Sequence, residues 1–208
     1  LRIDLTTPLT MRASFAFPLQ SSVSRRELVL GALWLLVPVI GWILNMGHRI
    51  IFIHNMIHSK PAWPAWCDYS SLFIHGCVTF AGMLFYYSPT FLCVAGYLWL
   101  EHNIFLIGAS VCFIVATIAI PGFMSHYCVY FDKSEIFDPR KAMAHVIQSG
   151  TEYWYAWLIV LLALVCSFVG LLAFGVGFLF TSVWFWQVAG FSFATVMSQR
   201  HALTKVSQ

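Results

Sequence analysis

The sequence predicts an all-α integral membrane protein assembled from helical hairpins, and three observations carry that prediction. The 208 residues are 60% hydrophobic and only 9% charged, where soluble domains carry about a quarter charged residues. The 42 residues from Ala156 to Met197 hold no formal charge. As a helix rising ~1.5 Å per residue they extend about 60 Å, roughly twice the hydrocarbon thickness of a bilayer, so the run is expected to cross twice. Gly170, Gly175 and Gly177 cluster near its middle, where glycine accepts the positive φ angles of a tight reversal. Such a block aggregates in water, whereas in lipid a helix satisfies its own backbone and its side chains meet a matching solvent.

Residues 1–23 read as an irregular arm on the cytoplasmic membrane surface, with Ser14 to Gln20 as its apolar patch. Arg2, Asp4 and Arg12 interrupt this stretch, and no apolar core precedes a small-residue cleavage site, so the first apolar block is expected to serve as the insertion signal. Ser24-Arg-Arg-Glu27 fits a capping box, which predicts a helix start at Ser24. The block from Leu28 to Met46 contains Pro38 and Gly41. Proline removes a helical hydrogen bond and glycine loosens the next turn, so the block reads either as a kinked span or as a re-entrant hairpin. Arg49 to His58 continues as an amphipathic helix, and Trp63 and Trp66 in the loop after Lys60 suit the headgroup level.

A second block, Tyr69 to Leu100, is interrupted only by Ser88-Pro89, and a third runs from Ile104 to Phe131 with Pro121-Gly122 inside it. Each is long enough for one tilted, kinked span, while Ser88-Pro89 offers an alternative division of the second block into two helices. Asp132 to Gly150 is the one sizeable polar insertion. Asp138-Pro139 predicts an N-cap followed by proline at the first helical position, opening a short interfacial helix.

Charge placement sets the expected topology. The eleven Lys and Arg residues fall on the N-terminal arm through Arg26, the Arg49 to Lys60 connector, the Lys133 to Lys141 insertion and the tail with Arg200 and Lys205. Under the positive-inside rule all four places face the cytoplasm. The expected fold is therefore four full spans plus a re-entrant N-terminal pair, with both termini cytoplasmic and five or six spans as the alternative. Residues 24–200 form a single polytopic domain and 201–208 a cytoplasmic tail.

The chemistry is sparse. His54 and His58 stand at i, i+4 on one helical face, the spacing of a metal-ligating pair, and are the candidate metal residues. His75 and His126 each interrupt an apolar run and are the candidate cofactor residues, since a single histidine on a spanning helix is the usual axial ligand of haem or chlorophyll. No Asp, Glu, Lys or Arg is expected deep in a span, which argues against proton-coupled transport. The sequence contains no nucleophile elbow, phosphate loop or zinc motif, so no enzymatic activity is expected. The six cysteines form no C-x-x-C pair and read as small hydrophobes. A net charge of +3 with scattered basic residues predicts no nucleic-acid partner. Aromatic residues, 17% of the chain, supply packing surface.

Ser14-Phe-Ala-Phe-Pro18, Pro38-Val-Ile-Gly-Trp42, Trp63-Pro-Ala-Trp66 followed by Leu72-Phe73 and Gly76, and Gly150 leading into Tyr153 occur in this order. Together they resemble a family of bacterial and archaeal polytopic membrane proteins known as a domain of unknown function. The chain departs from that pattern in its histidines and in Lys60 ahead of Trp63. The resemblance implies a helical membrane fold and carries over no site residues. The expected function is a non-catalytic accessory or scaffold subunit packed against a larger complex in a bacterial inner or thylakoid membrane. A chlorophyll- or haem-bearing subunit and a small-solute or lipid transporter are the alternatives.

Overall fold

Among the described residues the chain runs through seven helical elements: α1 (Met11–Ala16), α2 (Ser22–Trp34), α3 (Ile40–Ile57), α4 (Tyr69–Leu100), α5 (Ile104–Tyr130), α6 (Pro139–Phe168) and α7 (Val176–Val206). The structure is a computed structural model that describes residues 5, 7–173 and 175–206, the last seven by backbone alone. Arg2, Asp4 and the end of the expected tail at 207–208 lie outside the described residues. Among the described residues there is no strand. Four helical stretches are long and apolar enough to cross a bilayer: Tyr69–Leu100, Ile104–Tyr130, Pro139–Leu172 and Val176–Gln199. The protein is thus an all-helical membrane protein, and contacts divide it into two units, Val78–Gln148 and the residues on either side of that stretch.

In the Val78–Gln148 unit, α4 and α5 run antiparallel. Phe105 meets Gly96, Cys93 meets Gly108, and Phe123 stacks on Tyr86 at 4.8 Å. Glu101 takes a positive φ of 53° and its N–H closes α4 on the Tyr97 carbonyl at 2.8 Å. Helix α4 runs unbroken through Pro89, so Ser88-Pro89 does not divide it. Proline is tolerated in such helices where local adjustments satisfy the freed carbonyls. Leu92 and Leu98 point outward, as lipid-facing side chains do. At the other end, Phe131 adopts a left-handed conformation that stops α5. Asp132 accepts the Ser134 N–H at 2.9 Å, and Asp138 accepts those of Arg140 and Lys141 at 3.0 and 3.3 Å. The expected cap at Asp138-Pro139 is therefore present. The expected short helix and the span that follows it are two helices that meet within α6 at Gly150, whose φ 62° and ψ −142° are not helical. That backbone conformation is open essentially only to glycine.

In the other unit, α2 and α3 pack as an antiparallel pair tied by Asn45, whose Nδ2 donates to the Gly31 and Gly41 carbonyls at 3.1 and 2.8 Å. The reversal between them is a γ-turn at Val39, φ 65° and ψ −61°, closed by Ile40 N–H to Pro38 O at 2.7 Å. A β-branched residue held there stores about 1–3 kcal/mol of strain. Leu28 to Met46 is thus a broken pair of helices rather than one kinked helix. Helix α3 crosses the first turns of α4 through two glycines: a Cβ on Gly47 would strike the Leu72 carbonyl, and one on Gly76 the Ile43 carbonyl. The second arm of α6 and α7 form the last hairpin. Its reversal falls at Val169–Leu172 and Gly175, where the glycine cluster predicted it, and Thr181 Oγ1 donates to the Ser167 carbonyl at 2.7 Å.

Two expectations are corrected here. Within the N-terminal arm, Met11–Leu19 is helical rather than irregular: α1 is capped by Thr10, and Phe17, 2% exposed, stacks on Phe191 at 4.6 Å. Burial of a phenyl ring outweighs the few charges nearby. Trp63 and Trp66 are not half-wet belt residues but are 6% and 8% exposed in the core. The cysteines are free, and of the six only Cys128 is buried.

Candidate functional site

The site begins at the start of α2. Ser21 caps the helix, its Oγ accepting the Ser24 N–H at 3.0 Å while Ser24 Oγ accepts the Ser21 N–H at 3.0 Å. This pair, not Ser24 with Glu27, is the capping box, because the helix opens at Ser22 and puts Ser24 at the third helical position. Glu27 is left to turn inward, where it is 3% exposed.

There its Oε2 accepts three N–H groups: His48 Nε2 at 3.0 Å, Ala65 N at 2.9 Å and Trp66 N at 3.2 Å. Trp66 Nε1 also donates to the Glu27 carbonyl at 3.1 Å. The His48 ring stacks on Trp66 at 4.6 Å and on Trp63 at 5.5 Å. Burial drives the Glu27 carboxyl upward, but the hydrogen bonds from His48, Ala65 and Trp66 outweigh it and hold the group below its ordinary value. Burial pushes His48 down against the pull of the carboxylate, so a neutral imidazole donates to an ionised Glu27.

Beside His48 lies the side chain of Arg49, 7% exposed, with its guanidinium carbon 4.6 Å from the centre of the Trp186 ring. A cation over an indole face is attracted by the ring quadrupole, more strongly where water is excluded. The next residue on α7, Gln187, is 2% exposed, and neither its Nε2 nor its Oε1 has a hydrogen-bond partner. His48, Arg49 and Gln187, with Asn45 and Ser182, are the polar lining of a cavity of about 520 Å³ between α3 and α7, whose apolar lining includes Trp42, Leu179 and Val183. Arg49, on α3 and outside the four candidate spans, packs against the middle of the Val176–Gln199 stretch.

The histidines singled out by sequence are distributed as follows. The His54 and His58 rings lie 4.1 Å apart at the end of α3, tilted by 36°, and His58 Nδ1 donates to the His54 carbonyl at 2.9 Å. Among the described residues no third ligand atom joins them. His75, half-buried on α4, and His126, half-buried near the end of α5, belong to different units. His126 stacks on His145, with ring centres 3.2 Å apart. Sequence reasoning passed over Glu27, His48, Arg49 and Gln187 as site residues. One signal was present, since Gln187 is the single amide in the charge-free run from Ala156 to Met197.

Compared with family models, curated proteins and solved structures, the chain finds no match in any of the three.

Proposed function

We propose that the protein binds an anionic amphiphile, a lipid or lipid-like molecule with a carboxylate or phosphate head, in the cavity between α3 and α7. Gln187 carries the reading. Each unsatisfied buried polar group costs about 1–3 kcal/mol, and both ends of this amide are unpartnered in the cavity wall. An amide turned toward the cavity bonds a ligand head and removes that cost. Arg49 supplies the cation for an anionic head, and Trp42, Leu179 and Val183 supply an apolar wall for a chain. The volume falls in the range of about 300–1,000 Å³ typical of small-molecule sites.

In this reading the α2–α3 pair enters the bilayer as a re-entrant hairpin with its tip at Val39. The Lys60 connector, the Lys133 to Lys141 insertion and both termini face the cytoplasm, following the positive-inside rule. The setting is a bacterial inner membrane or a thylakoid. Roles as an accessory subunit, a haem or chlorophyll carrier or a transporter stay secondary proposals, because no contact among the described residues favours one of them.

Purification in mild detergent followed by mass spectrometry of bound lipid tests the reading. The expected result is one anionic species enriched over the bulk membrane and lost in Arg49→Gln. A bound-lipid profile equal to that of the bulk membrane, or one unchanged in Arg49→Gln, overturns it.

A further inference from the structure

The Val78–Gln148 unit brings together three side chains far apart in sequence: His126 near the end of α5, Glu135 in the turn Lys133–Glu135, and His145 in the first arm of α6. Their ligand atoms all lie within 4.8 Å of one another. From this geometry we infer that His126, Glu135 and His145 form a binding site for a zinc-like divalent transition metal.

The backbone around the site is fixed before any ion arrives. The left-handed cap at Phe131 ends α5, and Asp132 and Asp138 spend their carboxylates on Ser134, Arg140 and Lys141 N–H groups. Those two acids therefore shape the loop and leave Glu135 as the carboxylate facing the histidines. Its two oxygens are divided: Oε1 holds Lys141 Nζ at 3.0 Å, and Oε2 is 4.0 Å from His145 Nε2. A carboxylate oriented by an outer partner in this way is the usual support of a metal ligand.

The two imidazoles stand side by side at the site. The His126 and His145 rings are parallel to within 9°, with centres 3.2 Å apart, closer than the ~4.5–7 Å at which aromatic rings stack unaided. An imidazole nitrogen binds an ion in the plane of its own ring, so these stacked rings must turn apart for both to hold one cation. Zinc bonds of about 2.0–2.2 Å to nitrogen and carboxylate oxygen hold ligand atoms roughly 3.3 Å apart. Side-chain rotation closes the present spacing to that value, since all three residues are half-buried rather than locked in a core. Two imidazoles and one carboxylate suit zinc or a neighbouring transition ion better than magnesium or calcium. Three protein ligands leave a fourth position open, the arrangement of an exchangeable or reactive site rather than a closed structural one. The metal expectation thereby passes from His54 and His58 to this trio.

The test uses the chain without a polyhistidine tag, purified in mild detergent, stripped with a chelator and dialysed against zinc chloride. One zinc per chain is expected. His126→Ala and His145→Ala each weaken binding by more than the ~10–100-fold that loss of an outer partner costs, while the double variant His54→Ala/His58→Ala binds as the parent does. His145→Cys guards against a folding artefact, because it keeps a ligand, retains binding, and with cobalt(II) gains a sulfur-to-cobalt absorption band. No zinc uptake by the parent chain, unchanged uptake in His126→Ala, absence of that band in His145→Cys, or a loss that follows His54 and His58 instead overturns the assignment.

Discussion

Glu27 Oε2 lies 3.0 Å from His48 Nε2, and two backbone N–H groups of the Trp63 to Trp66 loop end on the same oxygen. One carboxylate oxygen therefore joins α2, α3 and the connector that follows. Removing it leaves three buried donors without an acceptor. Glu27→Ala is expected to destabilise the protein by about 3–5 kcal/mol, and Glu27→Gln, which keeps an acceptor oxygen, by less. Thermal unfolding in detergent measures both, and a Glu27→Ala protein that melts with the parent contradicts the account.

The same pair predicts how stability follows pH. His48 is depressed below its ordinary 6.5, so between its folded value and 6.5 the unfolded chain binds more protons than the folded one. This contribution is complete above about 6.5 and is lost as pH falls. Glu27, depressed below 4.5, adds stability that is present above 4.5 and disappears as pH falls through its folded value. Both terms have the same sign, so melting temperature should drop on acidification in two stages. His48→Gln should remove the upper stage. A melting temperature that is flat or rising from pH 7 to pH 5.5 is the contrary outcome.

Gln187→Leu separates stability from binding. Replacing an unsatisfied buried amide by an apolar side chain of similar size is neutral or stabilising. The lipid-free variant should therefore melt at or above the parent temperature, yet retain less anionic lipid through purification. If it melts well below the parent while binding lipid normally, Gln187 is a packing residue and the ligand reading loses its main support.

At the crossing of α3 and α4, Gly47 and Gly76 each face a carbonyl of the other helix. Backbones cannot shift as side chains do, so Gly47→Ala and Gly76→Ala should each cost about 3 kcal/mol. Gly108→Ala, where a Cβ would stand 3.4 Å from Cys93 Sγ, serves as the tolerated control. Equal expression and melting for all three would falsify the close-approach account.

Phe17→Ala distinguishes a packed arm from a surface one. Loss of a buried phenyl ring beside Phe52, Trp63 and Phe191 should cost about 3–5 kcal/mol. Exposed Leu19→Ala should change little. Matching effects of the two substitutions would return the arm to the membrane surface.

The spans were legible because they are long and apolar: α4 and α5 end within a residue or so of the predicted blocks, and Asp138-Pro139 marks the start of α6. The α2–α3 break was legible as an alternative, from Pro38 and Gly41. What escaped was burial of polar groups. Glu27 satisfied a local capping pattern that Ser21 and Ser24 fulfil instead, and Arg49 stood in an apparently wet connector. Neither pairing can be read from spacing, since the Glu27 acceptor and its Trp66 donor are separated by 39 residues. Of the proposed metal trio only His126 stood out, as a cofactor candidate, while Glu135 and His145 lay in the one segment where polar residues need no explanation.

The chain's early and late residues close on each other: Ser14 bonds Ser192, and Phe17 stacks on Phe191. During synthesis this sets an order of assembly. The Val78–Gln148 unit draws on one continuous stretch and has all its parts once residue 148 has been made, whereas α1, α2 and α3 wait for α7, made well after them. Until α7 arrives, the aromatic faces of Phe17, Phe52 and Trp63 lack their Phe191 wall, and the cavity lacks Gln187. A membrane chaperone or a partner acting on this protein would find its longest-lived opening there.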